Sequence, residues 1–399
     1  MSILLVGTAA LQLQSTMRKQ ALMGVRIGVL STYPSTQCGI ATFTQSLVGY
    51  LLDHGIHVGV VRVVDEPQVQ VLPVVHQWVT GRRNAIGEAV RALDDFDVAL
   101  VQHEYGIFGG PDGEDVLALV SALHVPVFTV LHTVLTHPTP HQHSVLAALC
   151  GASDALITMT ETARGRLIAG WGVDPARIHV ITHGAVHNIP LVPKPAHVPG
   201  SPATILTWGL LSDGKGIEWA LRALAGLADV VPTPQYRIVG QTHPRVRERE
   251  GEAYRDRLVG LTHELGLEGS VHFDAEYLPG DRLRRIVREA DVILLPYDSK
   301  EQVTSGVLIE AVAAGKPVVS TAFPHAVELL SSGAGLLVPQ RDPEALSQAL
   351  RRVLTEPGLA ASMAAESRRL APSLLWSAVA TEYVDLARSL TAVGARSVA

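Results

Sequence analysis

Short, continuously apolar runs alternate along nearly the whole chain with longer stretches in which apolar residues recur every three to four positions. In the first half the runs predict strands at Val25–Leu30, His57–Val63, Val98–Val101, Val125–Val130, Ala155–Thr158 and Ile178–Ile181. The longer periods predict helices at Ile40–His54, Ala85–Leu93, Glu114–Leu123, Gln142–Leu149 and Glu161–Ala169. Strands apolar on both faces and separated by helices imply buried parallel sheet with right-handed crossovers. The alternation stops at residues 189–202, IPLVPKPAHVPGSP, a proline-rich segment with extended character. It restarts with strands at Thr204–Thr207, Tyr236–Val239, Val271–Phe273, Val292–Leu295, Val318–Ser320 and Gly335–Val338. Helices at Ile217–Leu227, Arg247–Leu265, Asp281–Glu289, Gly306–Ala314 and Pro343–Leu354 fall between and after them, and Leu374–Leu390, with Trp376 and Tyr383, reads as a long closing helix.

The predicted architecture is therefore α/β, with two doubly wound Rossmann-like domains at residues 1–188 and 203–370, a hinge at 189–202 and a closing segment at 371–399. A length of 399 residues agrees, being long for one core. Residues 1–23 precede the first clear strand and read as an extension or as a translation start placed too early. Ile3-Leu4-Leu5-Val6 is too short to span a bilayer and lacks the preceding basic residues of a signal peptide.

Composition changes the picture only by exclusion. A net charge of −6 with 17 His gives no global field toward nucleic acid or anionic lipid. The run Arg282, Arg284, Arg285 and Arg288 reads as a solvated helix face. Two cysteines, Cys38 and Cys150, make no disulfide framework, which fits a reducing cytosol. A cytoplasmic location is expected, with peripheral contact at the inner face of a membrane left open. No transmembrane segment and no nucleic-acid partner is expected, and oligomeric state is not encoded.

The richest chemistry lies in Gln302–Val319, QVTSGVLIEAVAAGKPVV. Thr304 and Ser305 are natural N-caps, Ala311–Ala314 gives the helix a small, closely packing body, and Gly315 with Pro317 ends it. A helix opening after an apolar strand favours an anion, because its first N–H groups and its dipole both point outward. Ser305, Gly306 and Val307 would offer these groups to a phosphate. Glu310 lies roughly 7–8 Å further along the axis, about a ribose away, where a carboxylate accepts two hydrogen bonds from a diol.

This stretch resembles the signature of the retaining family 4 glycosyltransferases, which have the GT-B fold: Glu, seven residues, Glu, a small-residue run, then Gly-x-Pro-Val-Val. Glu310 to Val319 matches the second half, while Gln302 stands at the first acidic position and Glu301 is one residue early. The resemblance runs in order over about residues 25–390. It implies a final helix that crosses back onto the first domain, and a nucleotide-sugar held by the second. Lys215, in Gly209–Gly216 directly after a strand, falls on the family's phosphate-binding lysine. A cation there neutralises a diphosphate leaving group as charge builds. Leu210 takes a place where the family often has Arg.

Gly39, after the loop STYPSTQC, sits where the family carries a glycine-rich loop near the donor diphosphate, with Cys38 replacing a second glycine. CGIATF resembles a mannosyltransferase-like subgroup, which makes GDP-mannose the first expectation for the donor. His132 falls on a histidine that faces the transferred sugar. His103 and Glu104 end the preceding strand as acceptor-binding candidates. Glu276 and Tyr277 lie where the family holds its base, and His183-Gly184 resembles its turn at the domain exit. Gly109, Gly110, Asp112 and Gly113 read as a flexible loop and candidate acceptor lid.

The implied activity is retaining transfer of a hexose, mannose favoured, to a hydroxyl of a saccharide, lipid-linked or small-molecule acceptor. Catalytic roles fall on His132, Lys215 and Glu310, and donor binding on Gly39, Lys215, Gln302, Ser305, Gly306, Val307 and Glu310. No metal is expected: His132, His137, His141 and His143 match no strong metal spacing, and Pro138 and Pro140 keep them off one helix face. Cys38 has no nameable base partner and is not read as a nucleophile. Two other readings compete. One is a GT-B sugar phosphorylase or sugar-phosphate synthase. The other is a non-catalytic nucleotide-sugar-binding partner subunit, to which Gln302 and Leu210 give weight.

Overall fold

Residues of alternating direction on each strand bury against two different helix layers, and this period of two builds both sheets. The computed structural model describes residues 24–189 and 200–397. The extension at residues 1–23 and residues 190–199 of the expected hinge lie outside the described residues. The chain divides into two units, one of Met1–Thr158, Arg166–Ile181 and Ala380–Ala399, the other of Met159–Gly165 and Thr182–Val379.

The first unit holds seven parallel strands: β1 Arg26–Ser31, β2 His57–Val64, β3 Val74–Val79, β4 Val98–His103, β5 Val127–Leu131, β6 Ala155–Thr158 and β7 Ile178–Val180. Their order is β3-β2-β1-β4-β5-β6-β7. Gly28 and Gly59 stand side by side in β1 and β2, and together they make room for the Phe96 ring. The closing helix, Trp376–Ser397, contributes its residues from Ala380 on to this unit, where the fully buried Tyr383 ring lies 6.4 Å from that of Phe128.

The second unit holds six parallel strands: β8 Thr204–Trp208, β9 Gln235–Val239, β10 Val271–Asp274, β11 Val292–Leu295, β12 Val318–Thr321 and β13 Gly335–Val338, in the order β10-β9-β8-β11-β12-β13. Leu206, Trp208, Ile293, Leu295 and Val318 face one core, with helices Gly280–Glu289, Gly306–Ala313 and Pro324–Leu330. Ile205, Tyr236, Val292, Leu294 and Val319 face the other, with helices Ile217–Ala225, Ala253–Glu264 and Pro343–Thr355. Each unit is therefore a doubly wound α/β layer structure. Each sheet reverses its winding once, between β1 and β4 and between β8 and β11. Such reversal points leave a crevice at the carboxyl ends of the two central strands.

Three elements lie outside what the hydrophobic pattern predicts. β3 follows a crossover with no helix in it. Helix Pro324–Leu330 is a single short element, and Leu359–Leu374 is an alanine-rich helix packed on Gly306–Ala313. The helix expected over Arg247–Leu265 is two, Pro244–Glu250 and Ala253–Glu264, because Gly251 between them takes φ +63°. No helix among the described residues is long and apolar enough to cross a membrane.

The glycine pair under Phe96 yields a stability prediction. A Cβ on Gly59 would fall 2.3 Å from the Phe96 ring, so Gly59→Ala is expected to destabilise the first unit by about 1–3 kcal/mol through overpacking. Adding Phe96→Leu should recover part of the loss. Urea unfolding followed by circular dichroism checks both, and an unchanged midpoint in Gly59→Ala would contradict the packing described.

Candidate functional site

The carboxyl ends of β8 and β11 carry the chemistry of the second unit. Helix Gly306–Ala313 opens there. Ser305 is its N-cap, in extended conformation, and its Oγ accepts from the Leu308 N–H at 3.3 Å. The helix ends as the pattern predicts: Gly315, at φ +67°, donates to Val312 O, and Lys316 donates to Ala311 O, a Schellman pair. Ala311, Val312 and Ala313 are fully buried.

The helix start is prepared by histidines. The N–H of Ser305 is already given to His325 Nδ1 at 2.8 Å. Burial pushes the His325 pKa down to about 3, so the ring stays neutral and accepts. Gly306 and Val307 are the first two helical residues, for whose N–H groups the helix supplies no acceptor. His183 lies directly against Gly306, where a Cβ would fall 2.7 Å from its Nε2. Its Nδ1 lies 2.7 Å from Gly184 O, a pure acceptor, so Nδ1 carries the proton and Nε2 the lone pair. Burial holds the His183 pKa down to about 4. Gln302 turns its amide back onto Thr304 O, within its own loop.

Lys215 sits between Gly214 at φ +86° and Gly216 at φ +64°. At Gly216 a Cβ would fall 1.9 Å from Pro296 O, so that turn closes only on glycine. The ammonium lies over the Tyr297 ring, 4.4 Å from its centroid, and Tyr297 stacks on Phe323. The cation is thus held by an aromatic face rather than by a carboxylate. Gly209, at the end of β8, lies against Val307: a Cβ there would be 3.7 Å from Val307 Cγ2. The end of β8, from which the Lys215 loop leaves, therefore lies against the helix start.

Glu310 retains some exposed surface while its carboxyl group is crowded by protein. Burial raises its pKa above the ordinary carboxylate value, opposed by a hydrogen bond from Trp208 Nε1 to Oε2 at 3.3 Å and by the charge of Arg284. Arg284, read from the sequence as part of a solvated face, is half-buried and acts on this carboxylate. Glu276 and Tyr277 are exposed, Glu276 pairing with Arg282.

In the first unit the expected residues gather at the carboxyl ends of β1, β4 and β5. Gly39 starts helix Gly39–Asp53, with Cys38 as its cap, and a Cβ on it would meet nothing within 4 Å, so the approach is open. His132 Nε2 lies 2.6 Å from Gln102 Oε1, and its ring meets Phe43 edge-on at 4.9 Å. Glu104 accepts from Thr133 Oγ1 and from the Tyr105 N–H, and burial raises its pKa. His103 is fully covered, and both its ring nitrogens lack a partner among the described residues. Burial takes its pKa down to about 4, so it is a neutral core side chain facing Tyr105 and Phe108.

The other histidines stand in separate settings. His141 bridges Asp112 and Glu114, whereas His143 lies on Gly170 O and stacks on Trp171. The first of these ties down the loop around Asp112. Trp208, Tyr297 and His325 stand in the second-unit site without a motif of their own, and His183 is legible in the sequence only as part of a turn. Tyr297, two residues past an apolar strand, is the one whose position alone signals a ligand edge.

Comparison with known proteins bears on both units. Residues 38–187 match the family model described as Glycosyltransferase Family 4, and residues 191–370 that described as Glycosyl transferases group 1. A D-inositol 3-phosphate glycosyltransferase of Kineococcus radiotolerans is 30% identical over 256 residues, 59% of this chain and 57% of that protein. The chain spans little more than half the length of the curated relatives it matches. Among solved structures, sucrose-phosphate synthase from Thermosynechococcus elongatus gives a TM-score of 0.72 at 20% identity, covering 92% of this chain and 100% of that one. Anabaena HepE in complex with UDP and glucose gives 0.71 at 16% identity, covering 92% and 100%. At such identities the likeness speaks to the fold, which is GT-B.

Glu310 yields a prediction whose sign follows from its raised pKa. An ionised carboxylate in this setting destabilises the folded chain, and protonation relieves the penalty as pH falls through the raised value toward the ordinary one. Glu310→Gln, which keeps an acceptor for Trp208, is therefore expected to raise the ligand-free melting temperature at neutral pH. The gain should shrink as pH is lowered through that window. Thermal denaturation against pH reads it, and a gain that persists unchanged in acid would refute the assignment.

Proposed function

We propose that this chain, which has the GT-B fold, is a glycosyltransferase that moves a hexose with retention from a nucleotide diphosphate-sugar to a hydroxyl acceptor. The observation that carries the reading is the crevice between β8 and β11. There Lys215, without a carboxylate partner among the described residues, follows the strand whose end lies against the helix start, where the N–H groups of Gly306 and Val307 have no acceptor within the helix, and Glu310 lies one turn further along. Cation and N–H groups together suit a diphosphate, and the carboxylate suits the ribose diol. The match to both family models and the HepE complex with UDP and glucose support a nucleotide-sugar as donor class. Mannose from GDP-mannose remains the finer proposal, from the CGIATF resemblance.

In this reading Lys215, Gly306 and Val307 stabilise the departing diphosphate as its charge develops. Ser305 and Gln302 shape the loop that delivers those N–H groups. Gly39 lets the first-unit backbone approach the substrate closely, and His132 hydrogen-bonds the transferred sugar. The acceptor hydroxyl attacks from the face the diphosphate leaves and passes its proton to a leaving phosphate oxygen. No separate strong base is required. Glu104, with its oxygens at the carboxyl end of β4, is the proposed acceptor contact, with His103 behind it.

Hydrolysis of a panel of nucleotide sugars tests the donor. One donor, GDP-mannose first, should be hydrolysed slowly without acceptor. Turnover that requires added phosphate would mean a phosphorylase, and no turnover with tight nucleotide binding would mean a partner subunit. Lys215→Ala and Glu310→Ala should each cut turnover at least ~100-fold, the scale of removing one preorganised electrostatic group. Near-normal rates in both variants would reject the site.

A further inference from the structure

One charged side chain of the first unit is not used by anything above. Arg62 lies near the carboxyl end of β2 and is only 3% exposed. It pairs in register with Ser31 on β1 and with Gln77 on β3. Gln102 follows Val101, the partner of Leu30, so a polar row crosses four neighbouring strands at one level of an otherwise apolar sheet. Residues in register share a face, and this row looks toward the loop after β1.

The guanidinium is only partly satisfied. Its Nη2 donates to Thr36 Oγ1 at 3.3 Å and to Gln68 Oε1 at 2.5 Å. Nε is buried with no partner, and Arg62 makes no ion pair among the described residues. Burial lowers its pKa, with no carboxylate opposing the shift. A covered charge is ordinarily paired, since leaving it alone forfeits its hydration without return. The surroundings are ordered: Ser35 also donates to Gln68 Oε1, and Gln68 exchanges two hydrogen bonds with Gln77. Thr36 belongs to the loop that leads to Gly39, the open approach of this unit. Both of these acceptors of the guanidinium, Thr36 and Gln68, stand in loops.

We infer that Arg62 is an anion-binding residue of the acceptor site, receiving a phosphate or carboxylate group carried by the acceptor. This rests on reading the first unit as the acceptor side. Arginine supplies donors only, in a planar fork that matches both groups, and an anion that takes Nε–H would complete the fork by replacing Thr36 or Gln68 at Nη2. A neutral acceptor would leave the charge unpaired.

The test reads binding directly. Inorganic phosphate and glucuronate are each titrated by calorimetry into Lys215→Ala, which weakens the donor phosphate site, and into Lys215→Ala/Arg62→Gln, at matched ionic strength. The second protein should bind at least ~10-fold more weakly, and whichever probe shows the loss names phosphate or carboxylate as the group. Equal affinities in the two proteins for both probes overturn the proposal. If Arg62→Gln does not fold, Arg62→Lys keeps the charge but not the fork and should still lose affinity for the preferred probe; unchanged affinity again overturns it. Titration of nucleoside diphosphates into the unaltered chain runs alongside. Absence of nucleotide binding with Arg62-dependent anion binding intact would sink the transferase reading and leave an anion site.

Discussion

Two backbone N–H groups at the start of helix Gly306–Ala313 set the terms for the second unit. They need an acceptor, and the helix cannot supply one. Ser305 is consumed inward, through its Oγ to Leu308 and its N–H to His325. His183 presses on Gly306 with a lone pair rather than a proton, and any Cβ at that position would displace it. Both histidines are held neutral by burial, so neither adds a fixed cation. On the β8 side Lys215 rests on an aromatic face that holds it without neutralising it. An anion arriving here meets oriented dipoles and one cation already in place, with little left to reorganise.

The same economy governs Glu310. Its carboxylate is kept in a setting that raises its pKa, with a single long hydrogen bond from Trp208 and the charge of Arg284 as partial relief. A residue selected for stability alone would not be an acid in that place. In the proposed role, hydroxyl donors reaching the carboxylate would offset that burial penalty, exchanging stability for ligand affinity. Arg62 in the first unit follows the same logic with the sign reversed, a covered cation without a counter-ion among the described residues.

Much of the fold was legible because strands buried on both faces must be continuously apolar, and helices on both sides of a sheet must not be. The helix carrying Glu310, with its cap and its glycine stop, was legible to within a residue from Thr304, Ser305 and Gly315. Strand order was not, because it depends on which crossovers lie on which face, and order is what brings Trp208 beside Glu310 and Tyr297 beneath Lys215. β3 escaped because its neighbours Pro67 and Pro73 read as loop and no helix precedes it. His325 escaped because its role is a hydrogen bond to a backbone twenty residues away, which no local pattern encodes. His103 looked like a cleft residue from its place at a strand end, but its side chain points into the sheet's core.

Gln302 shows how a departure from a pattern can be read chemically. Its amide nitrogen donates to Thr304 O, a bond that a carboxylate in the same rotamer could not make, since ionised Glu only accepts. Glutamine is thus compatible with this loop conformation in a way glutamate is not. The change also removes a negative charge from the approach to the helix start. Against a polyanionic ligand that removal lowers repulsion, while the loop that presents Ser305 is held by that hydrogen bond and by the buried Val303. Loss of the first acidic position therefore does not by itself argue for loss of donor binding, because the groups suited to the diphosphate and the ribose, Lys215, Gly306, Val307 and Glu310, stand apart from it.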